Sequence, residues 1–366
     1  MTKGNPLKLM LQFAFPLLIG NLLQQTYNII DAAIVGQILG AKALASVGAS
    51  SSIQFLVLGF CMGSCTGFGV PIAKYFGAGK LDQMRNYVFN GALLTAGIAV
   101  ILTALCSVFC PQILHMLSVP EDIYDNAYAY LLIIFLGIPF TLLYNLLSSI
   151  LRSVGDSRTP FLFLAISTVL NIGLDLLCII VFKMGVFGAS FATVFSQAVA
   201  GFGSLWYIAR HYHELRWSKE EGKLSRDHCL KLCNMGIPMG LQCSITAIGS
   251  VVLQGAVNGL GSDIVAAQTA GGKAAQFLSV PLESIGTAMT TYASQNLGAH
   301  DLKRVNRGVN TALGIGCVYS IASFIILRFA DKLLIGLFLD AGEVEIMANA
   351  QSFIFWNSVF YIPLAV

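Results

Sequence analysis

Four polar residues of one apolar stretch, Asn21, Gln24, Asn28 and Asp31, follow one another at steps of three and four, with Gln25 beside them. On a helix that spacing lays them along one stripe. A second stretch repeats the theme. Ser167, Asn171 and Asp175 are spaced by four, and Thr193 lies in the stretch that follows. Two carboxylates, an amide and a hydroxyl are oxygen donors of the kind that hold a hard cation such as Na+. Removal from water also makes an ionised carboxylate costly, so an embedded Asp can take up and release a proton near neutral pH. Asp31 alone would cost about 2.5–3.5 kcal/mol at the centre of a bilayer. A binding role is favoured over the plainer alternative, in which Asp31 and Asp175 only hydrogen-bond neighbouring helices. One more embedded acid, Glu283, follows Pro281. It is either a second coupling or substrate-cation site or a packing carboxylate beside a proline kink.

Other chemistries find little to work with. Of nine cysteines, three pairs sit four apart (Cys61/Cys65, Cys106/Cys110, Cys229/Cys233), which places each pair on one helix face. A metal or redox centre would want histidines nearby, but His115, His211, His213, His228 and His300 all lie in or beside polar loops. The cysteines therefore read as small apolar packers. With no His inside an apolar stretch and no Gly-x-Ser-x-Gly, an intramembrane hydrolase lacks its nucleophile and base. Nothing resembles a nucleic-acid patch. No cofactor is expected beyond a coupling ion, Na+ or H+.

The elements that would position these groups follow from composition. Hydrophobic residues make up 56% of the 366 and charged ones 11%, too few charges to cover a water-facing surface. Apolar runs of bilayer length recur near 11–38, 50–76, 87–110, 126–151, 160–182, 187–210, 232–259, 266–296, 308–330 and 346–366. They lack the alternation of barrel strands, so they are helices. The chain is thus an all-α polytopic membrane protein whose first run is an uncleaved span rather than a leader. Pro16 lies in the same helix as Asp31, where bending would couple ion binding to cavity shape. Gly59, Gly63 and Gly67, spaced by four, suit close helix packing more than a sliding seam.

Sixteen of the 21 Lys and Arg fall at the N-terminus, in the even-numbered connections (Arg152 and Arg158 among them) and in the polar linker after the sixth run. The positive-inside bias then puts the N-terminus and linker in the cytoplasm of a cell-membrane protein. An internal repeat is visible as well: IAKYFGAGKLDQMRN (72–86) aligns with ASQNLGAHDLKRVNR (293–307) at an offset of 221, and Gly40 and Ala45 match Gly261 and Ala266. Two lobes related by an axis along the membrane normal are expected: 1–211, a linker 212–229, and 230–366, with a substrate cavity between them. The second lobe is expected to be incomplete, since the chain ends at Val366 inside an apolar stretch. It also lacks the carboxylate, with Val252 and Leu253 aligned to Asp31.

Residues 151–197, LRSVGDSRTPFLFLAISTVLNIGLDLLCIIVFKMGVFGASFATVFSQ, resemble a signature of MATE transporters, the multidrug and toxic compound extrusion family. Residues 16–48 resemble that family's first span and following loop, and AKYFGAG and SQNLGAH match its repeated motif. The resemblance covers nearly the whole chain. It implies a secondary active antiporter in the bilayer that exports drugs or other small organic, cationic compounds in exchange for Na+ or H+; the oligomeric state is left open by the sequence, with a functional monomer the expectation. It carries Asp31, Asn171, Asp175 and Thr193 over as the cation site, with Gln24 and Asn28 as cavity-lining polar residues. A flippase of lipid-linked saccharides, from a related branch, is the alternative within transport; it would want a more basic central cavity than the few basic residues inside these runs provide.

Overall fold

The structure, a computed structural model, describes residues 1–117, 119–216, 221–258, 262–335, 344–361 and 363. Gly261 and Val366, named above, lie outside the described residues. All regular structure among the described residues is helical. Helix α1 (Pro6–Ile34) runs into a π-helical turn, Val35–Leu39, and is followed by α2 (Ala41–Gly77), α3 (Leu81–Val108) and the short α4 (Cys110–Met116). Then come α5 (Glu121–Leu136), α6 (Ile138–Ser153), α7 (Arg158–Leu176) with a second π-helical turn, Leu177–Val181, and α8 (Gly185–His211). The later part holds α9 (Arg226–Asn258), α10 (Ser262–Gly298), α11 (Leu302–Ile335) and α12 (Val344–Val359).

Six of these helices are long and apolar enough to cross a membrane, or seven if α5 and α6, bent by 44° at their junction, are one span. Ten apolar runs were expected. The difference lies in the later part: α9 and α10 have 33 and 37 residues but a more polar composition, and α12 has only 16 among the described residues. α10 packs on four helices, α1, α2, α11 and α12, whereas α9 packs mainly on α2 and leaves apolar side chains such as Ile245 and Val252 exposed.

The repeat is structural to the residue. Shifted by 221, α2 becomes α10 at both ends, and the first residue of α3 becomes the first of α11. The two copies meet where their repeated motifs lie. A Cβ on Gly77 would collide with the backbone of Gln295, and one on Gly298 with the backbone of Lys74. A second close approach joins α2 to α9. Gly63 and Gly67 lie against the backbone of Met239, Gly240, Met235 and Gly236, while Gly236 and Gly240 receive Phe68, Ser64 and Phe60 in return. The spaced glycines thus pack two backbones together, as small residues do in membranes. The paired cysteines Cys61, Cys65, Cys106 and Cys110 are all buried in the core formed by α2, α3, α5 and α6.

At the end of the bundle where Gly77 meets Gln295, each lobe is latched by the segment that precedes the other lobe's first helix. The Met1 carbonyl accepts from Asn296 at 3.4 Å and from Arg304 at 3.3 Å, and its amino group donates to Gln295 at 2.5 Å. On the other side the linker crosses to α3: Arg85 bonds Glu221 at 2.8 Å, Asn86 Nδ2 donates to the carbonyls of Glu221 and Lys223, and Asn90 accepts from the Ser225 N–H at 3.0 Å.

Candidate cation site

Helix α7 is started by Asp156, whose Oδ1 accepts from the N–H groups of Arg158 at 2.9 Å and Thr159 at 3.1 Å. That carboxylate satisfies donors a helix start leaves open, and Tyr212 holds its other oxygen at 2.5 Å. The Gly-Asp-x-x-Thr-Pro motif therefore sets where α7 begins. Three turns and more beyond, Ser167, Asn171 and Asp175 form its buried face. α7 packs between α1 and α8, which bring Asp31 and Thr193 to the same place.

Asp31 is 9% exposed and Asp175 fully buried. Their carboxylates lie within hydrogen-bonding reach of each other. With its amide turned to suit its neighbours, Asn171 donates to Asp175 Oδ2 at 3.0 Å and accepts from the Thr193 N–H at 3.1 Å. The Thr193 hydroxyl donates to the Ala189 carbonyl at 3.1 Å, which leaves its oxygen to accept from the Tyr27 hydroxyl at 3.3 Å. One oxygen of each carboxylate, Asp31 Oδ1 and Asp175 Oδ1, is buried without a hydrogen-bond partner. Neither acid takes part in a salt bridge among the described residues. Two buried carboxylates this close cannot both stay ionised unless a positive ion sits with them. Two unpaired oxygens beside an amide and a hydroxyl suit a proton or a small monovalent cation, and no larger cluster of His, Cys, Asp or Glu occurs among the described residues.

Both acids also sit at the mouth of a widened turn. Asp31 precedes the π-helical turn of α1 by one helical turn, and Asp175 stands two residues before that of α7. The two turns touch. π-helical turns inside α-helices recur at functional sites.

The polar stripe of α1 divides. Gln24 lines the same recess as Tyr27, Asn171 and Thr193. Asn21 instead reaches Ser284 of α10 at 3.5 Å, and Asn28 is exposed. At about 100° per residue, position 31 lies within about 40° of 24 and 27, but about 60° from 28 and about 80° from 21. Tyr27 was absent from the expected set, as were Tyr130, which stands beside Asp31 and Tyr27, and its hydrogen-bond partner Gln54. Aromatic residues carry no spacing signal in a chain with 24 Phe and 12 Tyr, so only the fold reveals them.

Glu283 is exposed on α10, has no described ion pair, and stands near Cys243 of α9. It does not join the Asp31–Asp175 pair. Positions Val252 and Leu253, aligned to Asp31, are exposed apolar residues, 67% and 53%, so α9 offers no counterpart acid there. Pro16 is buried in an α1 that continues through it, and Phe13, Ala14 and Leu17 around it pack on Ala288 of α10.

The MatE family model matches residues 16–177 and 238–366. The chain is 33% identical over 365 residues to "Probable multidrug resistance protein YpnP" of Bacillus subtilis (strain 168), covering 98% of this chain and 80% of that protein. It is 23% identical over 350 residues to "Multidrug export protein MepA" of Staphylococcus saprophyticus, covering 95% and 77%. A crystal structure of MATE in the straight conformation superposes with a TM-score of 0.92 at 20% identity, covering 100% of this chain and 82% of that one. The two-lobed helical fold, its apolar spans and these relatives agree: the chain belongs to the MatE family of multi-pass membrane transporters and is not an enzyme.

Proposed function

We propose that the protein is a cation-coupled antiporter that exports small organic cations, with Asp31, Asp175, Asn171 and Thr193 as its ion site. The observation that carries this reading is the pair of partnerless carboxylate oxygens, Asp31 Oδ1 and Asp175 Oδ1, buried side by side inside one lobe. A buried polar atom left without a partner costs about 1–3 kcal/mol, more when charged. A site that must repeatedly gain and lose a positive ion is one reason to bear that cost. The names of its relatives, multidrug resistance and export proteins, support efflux of xenobiotics as the direction and cargo.

Coupling needs the ion to favour one lobe arrangement over another, since a ligand with equal affinity for both shifts nothing. The ion draws α1 and α7 together at their touching π-helical turns, and α1 carries both an ion ligand and contacts to α10. Ion binding is thereby felt at the interlobe face, with bending at Pro16 as the element that transmits it. Glu283, on α10, serves as the counter-charge for a cationic cargo. The N-terminus and linker face the cytoplasm, in keeping with the distribution of Lys and Arg.

The experiment is efflux of a fluorescent organic cation from proteoliposomes, with Na+ and pH gradients imposed separately. Transport driven by one of the two gradients supports the reading and names the ion. Equal efflux with both gradients collapsed would remove coupling from the account.

A further inference from the structure

Arg152 does not lie in a loop with the other basic residues. It occupies the last turn of α6, partly buried, and faces a cavity bounded by α2 and α6 of the first lobe and α10 of the second. No described carboxylate pairs with it. By contrast Arg85, at the lobe's surface, is held by Glu221 at 2.8 Å. A guanidinium stays protonated at any accessible pH, so its charge has to be met rather than shed. The C-terminal end of α6 offers it about half a negative charge at most.

The remaining lining is rich in hydroxyls. Most are already engaged with backbone carbonyls: Thr66 donates to Met62 at 2.9 Å, Ser153 to either Gly69 of α2 or Ser149 of its own helix, both at 2.8 Å, and Thr287 to Glu283 at 3.0 Å. Ser149 from α6 and Thr291 from α10 make no such bond among the described residues, and both line the cavity. Two free O–H donors therefore accompany an unneutralised guanidinium at the lobe junction. We propose that Arg152, Ser149 and Thr291 form a binding site for an oxyanion, a carboxylate or phosphate group, presented by a soluble ligand or by a lipid headgroup. Arginine's planar fork matches two oxygens of such a group.

The cavity holds about 20 Å³, room for one ordered water. A phosphate needs α6 and α10 to stand further apart, so occupancy and lobe spacing are linked. This site is separate from the Asp31–Asp175 pair, and either can fail without the other.

The test uses the full chain in phosphatidylcholine nanodiscs, following its unfolding midpoint in two arms: inorganic phosphate added to the buffer, and phosphatidylglycerol included in the disc. Wild-type protein is expected to be stabilised in at least one arm. The buffer arm alone assigns a soluble anion; the lipid arm alone assigns a headgroup. Arg152→Gln should weaken the response tenfold or more, and Arg158→Gln, a nearby exposed arginine, should leave it unchanged. Should Arg152→Gln fail to fold, Arg152→Lys, which keeps charge but loses the fork, and Thr291→Val should each weaken the response at least threefold. The proposal is overturned by a wild-type protein that responds in neither arm, or by a response that survives intact in the Arg152 and Thr291 variants.

Discussion

Gly77 and Gly298 occupy equivalent places 221 residues apart, and each lies against the backbone of the opposite lobe at residues, Gln295 and Lys74, that are themselves 221 apart. The two lobes therefore close on each other through a symmetric glycine contact at the end of the bundle that holds the latches. A methyl group at either position meets backbone, which cannot rotate away.

Gly77→Ala should oppose this closure by about 3 kcal/mol, the upper part of the range for overpacking. Spin labels at Lys80 and His300, near the ends of the two crossing helices, should report a shift to longer distances. Gly97→Ala, at a site on α3 with open space around it, is the control and should leave the distances unchanged.

Thr193→Val keeps the shape of its side chain but removes the hydroxyl that accepts from Tyr27. Losing that anchor should weaken the ion site by about 1–2 kcal/mol, or roughly five- to thirtyfold in half-saturating ion concentration. Tyr27→Phe should give a similar shift, and the double variant little more than either single one. Ion titrations of efflux check this.

The linker latch should loosen in acid. His228 is half-buried, lies against Tyr87 with ring centroids 4.2 Å apart and the rings tilted by 55°, and donates from Nδ1 to Asn86 at 2.6 Å. Burial foremost, then Lys231, pushes its pKa below the ordinary value, while Asp227 opposes this. The docked form thus binds fewer protons than the released form. Its stability is complete above the usual His value, about 6.5, and is lost as pH falls through the depressed value. Hydrogen-exchange protection at 221–230, taken relative to the intrinsic rate at each pH, should fall between neutral and acidic pH, and His228→Gln should flatten that dependence.

Glu283→Gln should reduce affinity for cationic dyes roughly tenfold or more, the worth of a charge-assisted contact, while efflux stays dependent on the ion gradient. Loss of gradient dependence in that variant would instead make Glu283 part of the ion site.

Much of this was legible in the sequence because membranes leave few options. Apolar runs announce helices, and the offset between the repeated segments AKYFGAG and SQNLGAH matches the helix boundaries of α2 and α10. Asp31, Asn171, Asp175 and Thr193 stood out because polar oxygens inside apolar runs are rare, and the structure gathers them. What stayed hidden depends on neighbours distant in sequence. Tyr27 and Tyr130 become site residues only through what they face. Arg152 reads as a loop charge because the run ends beside it, yet the chain keeps helical geometry one residue past it and turns it toward α10. The division of the α1 stripe reflects small angular differences that spacing by three or four blurs.

The central claim is that the buried pair takes up and releases a positive ion to drive export. The direct measurement is gradient-driven dye efflux by Asp31→Asn and Asp175→Asn in proteoliposomes, with insertion of each variant verified. Each should lose gradient dependence entirely while folding normally, since an amide removes the exchangeable charge and keeps the packing. Undiminished, gradient-dependent efflux in either variant would contradict it.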